Sequence, residues 1–243
     1  MNFFTWVGLC IVIYCLIYVI CLCVFDCDLQ LAFAEYFGKR LGIYPFLLFK
    51  LSKNNSKKIV SDKLRGKVIW VTEALSPVGE EMAYQIAQNS GKLVISGKKP
   101  ELLNEIKKRC LQMNKELNDD DILVLPLTMT QSETHQDCFN SVVEHFGTID
   151  IIINNVGLSQ RARWEYIESK VDHQIFELNV FSVVNLTRIA IKYFNGKGKG
   201  RLAVMSSIAG LIGVPYTGSF SATKHALHVS KQVKAEKKFL KII

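Results

Sequence analysis

The chain has 243 residues, 49% of them apolar, which is enough for one α/β domain with a real core once an apolar N-terminal segment is set aside. The 30 Lys and Arg against 22 Asp and Glu give a net charge of +8, an excess that attracts any polyanion, so the placement of the charge must decide among partners. Of the seven cysteines, Cys10, Cys15, Cys21, Cys23 and Cys27 lie in or beside the first apolar stretch, and Cys110 and Cys138 have no zinc-site or secreted-disulfide spacing.

Phe3 to Phe25 carries no charged side chain and is long enough to cross a bilayer, which takes about 20 apolar residues in a helix. No Lys or Arg precedes the run and no small-residue cleavage pattern closes it, so a retained anchor is expected rather than a cleaved signal peptide. Lys39, Arg40, Lys50, Lys53, Lys57 and Lys58 all follow the span, which places the remainder of the chain on the cytosolic side. Cys23 and Cys27 are juxtamembrane candidates for palmitoylation. The basic linker that follows either rests on anionic headgroups, at about 1 kcal/mol per charge, or is simply solvated. It accounts for the basic excess without nucleic acid. The expected division is an anchor over residues 1–27, a basic juxtamembrane linker over 28–66 and an α/β domain over 67–243.

From Lys67 onward short β-branched runs alternate with longer amphipathic ones. The strands are expected at Lys67 to Thr72, Lys92 to Ser96, Ile122 to Leu127, Ile149 to Asn154 and Arg201 to Ser206. Helices are expected at Val78 to Asn89, Pro100 to Met113, Gln131 to Phe146, Lys170 to Phe194 and Ser219 to Phe239. Strict alternation with strands apolar on both faces implies a doubly wound, Rossmann-like parallel sheet, whose ligand crevice lies beyond the carboxyl ends of the strands. Asp119 to Asp121 reads as a solvated loop. His225 and His228 read as helix-surface residues, and Arg161, Arg163 and Trp164 either contact a ligand or line a loop.

The strand ends carry the chemistry. Thr72, Glu73, Ser76, Pro77 and Gly79 follow the first strand, Asn154-Asn155-Val156-Gly157 the fourth, and Ser206-Ser207-Ile208-Ala209-Gly210 the fifth; Asn179 and Ser221-Ala222-Thr223-Lys224 lie on the last two helices. With these residues the chain resembles the short-chain dehydrogenase/reductase family from Lys67 to its end. Through Ile106 to Leu111, Ile122 to Leu127 and Leu158 to Arg161 it resembles a membrane-anchored branch of that family, which suits an endoplasmic-reticulum membrane.

The resemblance implies hydride transfer between a nicotinamide and an alcohol or carbonyl, with a Tyr as acid/base, a Lys four residues on, a Ser and an Asn. By position the Ser is Ser207, the Lys is Lys224, the Asn is Asn179, and the Tyr position is Phe220, which has no proton to give. Tyr216, Ser219 and Ser221 are the candidate substitutes. Cofactor contacts implied by position are Thr72, Ser76, Gly79, Lys98, Asn155, Gly157 and Lys224, with Lys98 and Lys99 favouring NADP. Against binding stand Glu73 and Pro77 at two glycine positions and Thr128 at the usual adenine-contacting Asp. Glu73 either plugs the helix N-terminus or faces solvent from a drifted loop.

The family normally adds a sixth strand, a substrate-covering segment and a seventh strand after the lysine helix. Here the chain stops at Ile243, so the fifth strand is expected to be an open edge and the domain marginal. A catalytically impaired, membrane-tethered homologue is expected, at most binding ligand or pairing with itself or a related reductase through the helices that carry Asn179 and Lys224. The alternative is an active NADP-dependent reductase of retinoid-like or steroid-like carbonyls.

Overall fold

The structure, a computed structural model, describes residues 63–232 and 240–242. The expected span Phe3 to Phe25, the cysteines in and beside it, and most of the basic linker lie outside the described residues. Among those that are described, no helix is long and apolar enough to cross a membrane.

Six strands, β1 (Val68–Val71), β2 (Lys92–Gly97), β3 (Ile122–Pro126), β4 (Ile151–Asn154), β5 (Gly200–Val204) and β6 (Leu240–Ile242), form one sheet of order β3-β2-β1-β4-β5-β6. All pairs are parallel. The helices between them are α1 (Pro77–Gln88), α2 (Pro100–Met113), α3 (His135–Phe146), α4 (Ser169–Phe176), α5 (Ser182–Lys197) and α6 (Gly218–Gln232). Strand order reverses between β1 and β4, so their carboxyl ends open the crevice that a doubly wound sheet offers to ligands.

The pleat divides the core in two. Val68 and Trp70 point to one face, with Phe139 of α3 and Leu186, Ala190 and Phe194 of α5. Ile69 and Val71 point to the other, with Ala83 and Ile86 of α1 and Leu103, Ile106 and Cys110 of α2. Burial in that second cluster pushes the Cys110 thiol up to about 12, which leaves it an inert apolar filler.

At the opposite end of the sheet from the crevice, Asp150 sets β1 against β4. Its Oδ2 accepts the Val68 amide at 3.1 Å and its Oδ1 pairs with Lys197 Nζ at 3.0 Å, both side chains being under one-fifth exposed. Burial alone would raise the Asp150 carboxyl, but the bonds from Lys197 and Val68 hold it below the usual range. A lowered native pKa gives stability that is present above the unfolded value and lost as pH falls through the native one. Asp150→Asn should therefore cost about 2 kcal/mol at pH 7, below the ~3–5 kcal/mol of a fully buried broken pair, and flatten the acid limb of the stability curve in urea melts.

Two expected helices gain detail, and one expectation about the sheet needs correction. The helix expected over Lys170 to Phe194 forms, with a π turn, Glu177–Phe181, between α4 and α5; within it the Asn179 side-chain amide bonds the Leu158 backbone. The helix expected over Ser219 to Phe239 is present from Gly218 to Gln232, the remainder of the expected range lies outside the described residues, and Leu240–Ile242 is a strand. Gly200 to Leu202 of β5 pair with Leu240 to Ile242, so β5 is not the open edge of the sheet.

Candidate active site

Beyond β1 the turn is held entirely by the protein. Thr72 Oγ1 accepts the Asn155 amide at 2.9 Å and donates to the Ile153 carbonyl at 3.3 Å, which locks the ends of β1 and β4 together. Ser76 caps α1: its Oγ accepts from the Gly79 amide at 3.1 Å and donates to the Glu73 carbonyl at 3.0 Å. Asn155 Nδ2 then bridges the Glu73 carbonyl at 3.1 Å and Ser76 Oγ at 2.8 Å. A Cβ on Gly79 would lie 2.6 Å from the Glu73 carbonyl and 2.7 Å from Asn155 Nδ2. Here the glycine serves close packing inside the turn. Gly79→Ala should cost about 1–3 kcal/mol by overpacking, read in thermal melts of the full chain.

Glu73 stands at φ +48°, the left-handed conformation for which glycine is suited, at a cost of about 1 kcal/mol. One carboxyl oxygen is buried without a hydrogen-bond partner among the described residues. Burial raises its pKa, against the opposing charge of Lys98. Neither expectation for Glu73 holds. The carboxyl is half-buried rather than solvent-facing, and the helix start is satisfied by Ser76 rather than by Glu73.

The geometry does not fit a dinucleotide pyrophosphate. Such a group needs amide donors at the helix start and no competing anion. Pro77 has no N–H and the Gly79 amide is already bonded, which leaves Val78 as the first-turn amide without a bond to the rest of the protein, and Glu73 adds a half-buried carboxyl to the same turn. Lys98 is exposed at the end of β2, and Thr128 follows β3, its carbonyl accepting from the Gln131 amide.

The other half of the crevice is well formed. Lys224 is 4% exposed, and its Nζ donates to the Val156 carbonyl at 3.2 Å and the Met205 carbonyl at 3.0 Å. Nζ also lies 5.6 Å from the centre of the Phe220 ring. Burial alone lowers the Lys224 pKa. Gly157 is exposed, and a Cβ there would sit 3.3 Å from Nζ. Asn179 is fully buried in the π turn, where Oδ1 accepts the Leu158 amide at 2.8 Å and Nδ2 donates to the Leu158 carbonyl at 2.9 Å and to Thr223 Oγ1 at 3.1 Å. It thus ties the loop after β4 to α6. Ser207 follows β5 and accepts the Ala209 amide at 3.2 Å.

Among the described residues, the three candidate substitutes for the phenol are engaged elsewhere or exposed. The Ser219 hydroxyl donates to Asp172 and the Ser221 hydroxyl is paired with Thr217 at 2.9 Å. Tyr216 is exposed at φ +65°, its carbonyl accepting the Ala162 amide at 2.9 Å. Trp164 is also exposed and packs beside Gly218. His228 is partly exposed on α6, where its Nε2 meets Ser206 Oγ at 2.7 Å and its ring lies against Gly210. Sequence reading missed the Val156 and Met205 carbonyls, Thr223 and this Ser206–His228 contact. The first two are backbone groups with no residue signature, and the others lie too far apart in the chain to form a local motif.

Residues 67–238 match the family model for short chain dehydrogenase. The chain belongs to this family. Within it, the protein is similar to "Dehydrogenase/reductase SDR family member 7" of Homo sapiens, 35% identical over 202 residues that cover 83% of this chain and 54% of that one. It is similar as well to "11-beta-hydroxysteroid dehydrogenase 1A" of Arabidopsis thaliana, 27% identical over 201 residues, 82% of this chain and 56% of that one. The chain spans about half the length of the curated relatives it matches. Among solved structures, a tyrosine-to-phenylalanine variant of ElxO with NADPH bound shares the short-chain dehydrogenase fold at a TM-score of 0.63 and 23% identity, covering 70% of this chain and 67% of that one.

Proposed function

We propose that this short-chain dehydrogenase homologue is catalytically impaired and tethered to a membrane, its proton-transfer group and its pyrophosphate turn both being altered. The observation that carries the reading is the Phe220 ring beside Lys224, where the family places its proton donor, with the neighbouring Ser219 and Ser221 hydroxyls engaged elsewhere. Phe220 keeps the ring's packing and removes the acid/base. NADP is the dinucleotide the exposed Lys98 and Lys99 would favour, and Glu73 and Pro77 weaken its hold. The apolar N-terminal run would anchor the chain, with the basic linker on anionic headgroups of the endoplasmic-reticulum membrane and the domain in the cytosol. Pairing with itself or a related reductase through the segments carrying Asn179 and Lys224 belongs to the same proposal.

The test is a titration of the full chain in detergent with NADPH, following nicotinamide fluorescence, and then an assay against retinoid and steroid carbonyls. Absence of both micromolar binding and turnover is expected. Saturable binding with turnover in the unmodified chain would instead establish the second reading, an active NADP-dependent reductase of lipid carbonyls. That reading is favoured by the exposed apolar side chains Leu158, Trp164, Ile208, Leu211 and Ile212 on the loops after β4 and β5.

A further inference from the structure

Lys224 is the one group of the site whose surroundings suit a reaction that needs neither a phenol nor a nicotinamide. Among the described residues it forms no ion pair with any carboxylate. Its two hydrogen-bond partners are the backbone carbonyls of Val156 and Met205, and its third neighbour is the Phe220 ring face. A neutral amine has two N–H donors and one lone pair, so the two carbonyls satisfy it completely and leave the lone pair free. For the third proton of an ammonium the described residues offer only the ring face. A tyrosine at position 220 would favour the charged form whenever its phenol ionised; phenylalanine does not.

Access is provided by Gly157. Apart from its chain neighbours, the only heavy atoms within 4 Å of a Cβ placed there are Lys224 Nζ, at 3.3 Å, and Lys224 Cε, and Gly157 itself is exposed. The absent side chain therefore leaves an approach from solvent to a nitrogen that is otherwise enclosed. The approach is bordered by the loop that carries Leu158, an exposed apolar side chain.

We propose that Lys224 is a nucleophile that captures lipophilic aldehydes as a Schiff base. The Nζ lone pair adds to the carbonyl carbon, forming the C–N bond, and a proton passes to the oxygen to give a carbinolamine. Loss of the C–O bond then releases one water, whose two hydrogens derive from the amine, and leaves the imine. No electrons are exchanged and no further reactant is needed. Desolvation in an apolar site is a general way of activating a lysine for this chemistry, and it acts here in the direction of the lowered Lys224 pKa.

The full chain in detergent, at pH 7, is incubated with cinnamaldehyde and sodium cyanoborohydride, which fixes each imine as a stable secondary amine, and the modified lysines are located by peptide mass spectrometry. An exposed lysine with a pKa near 10.4 is neutral in fewer than about one molecule in 10³ at this pH. Lys224 should be labelled at least about tenfold faster than the exposed Lys98, Lys99 and Lys108 of the same molecule. Gly157→Ala should slow labelling at Lys224 several-fold and leave Lys98 unchanged. Labelling of Lys224 no faster than that of Lys98 in the unmodified chain overturns the proposal without recourse to any variant. The readout involves neither NADPH binding nor turnover, so its failure is distinct from failure of the impaired-oxidoreductase reading.

Discussion

Replacing Glu73 and Pro77 together by glycine should give the full chain saturable NADPH binding, tighter than that of the unmodified chain by on the order of 10²-fold. Two like unit charges about 5 Å apart repel by roughly 3 kcal/mol at an effective dielectric constant near 20, and removing a repulsion of that size converts to about that factor. Glycine at 73 also adopts φ +48° without strain, and glycine at 77 returns an N–H to the start of α1. Nicotinamide fluorescence measures the change. Equal affinity in the two chains would show that the turn is no obstacle, and the account of Glu73 would fail.

In that background, Phe220→Tyr should raise the rate of carbonyl reduction by roughly 10²- to 10⁴-fold, the usual contribution of a positioned general acid. The new hydroxyl would be carried on a ring that already lies 5.6 Å from Lys224 Nζ, on the face of α6 turned toward Gly157. The rate of NADPH oxidation with a retinoid or steroid carbonyl is the readout, at saturating cofactor so that binding and chemistry are separated. If the Phe220 chain already turns over at the rate of the variant, the proton comes from elsewhere and impairment is the wrong description.

The strands and most helices were legible because burial on both faces leaves a mark on composition: Val68 to Val71 and Lys92 to Gly97 are almost wholly buried, and their β-branched runs say so. The π turn was not, since one inserted residue barely disturbs the apolar periodicity from Lys170 to Phe194, and the hydrogen bonds of its Asn179 side chain go to a loop 21 residues away in sequence. β6 was hidden for a different reason. Only Leu240–Ile242 forms it, and three residues carry no periodicity, least of all beside the basic run from Lys231 to Lys238.

At the site, side-chain identities were readable and their partners were not. Asn155 and Ser207 follow the ends of β4 and β5, while Asn179 and Lys224 lie within the last two helical runs. The groups that hold Lys224 Nζ are two main-chain carbonyls, which any residue would supply. Glu73 is the instructive case: its place in the turn was evident, but whether its carboxyl met water or protein depended on a backbone angle and on the Asn155 bridge, neither of which is written in local sequence.

The bridge from Asn155 to Glu73 and Ser76 has one further consequence, for the supply of folded protein. A ligand stabilises a fold by RT ln(1 + [L]/Kd), and that gain is largest where the binding loop is completed only by the ligand. Here the loop closes on itself through Thr72, Ser76 and Asn155. The melting temperature of the domain, and with it the steady-state amount that escapes proteolysis, should therefore be set without reference to the nucleotide pool, so that the chain's abundance does not track the redox state of the compartment around it.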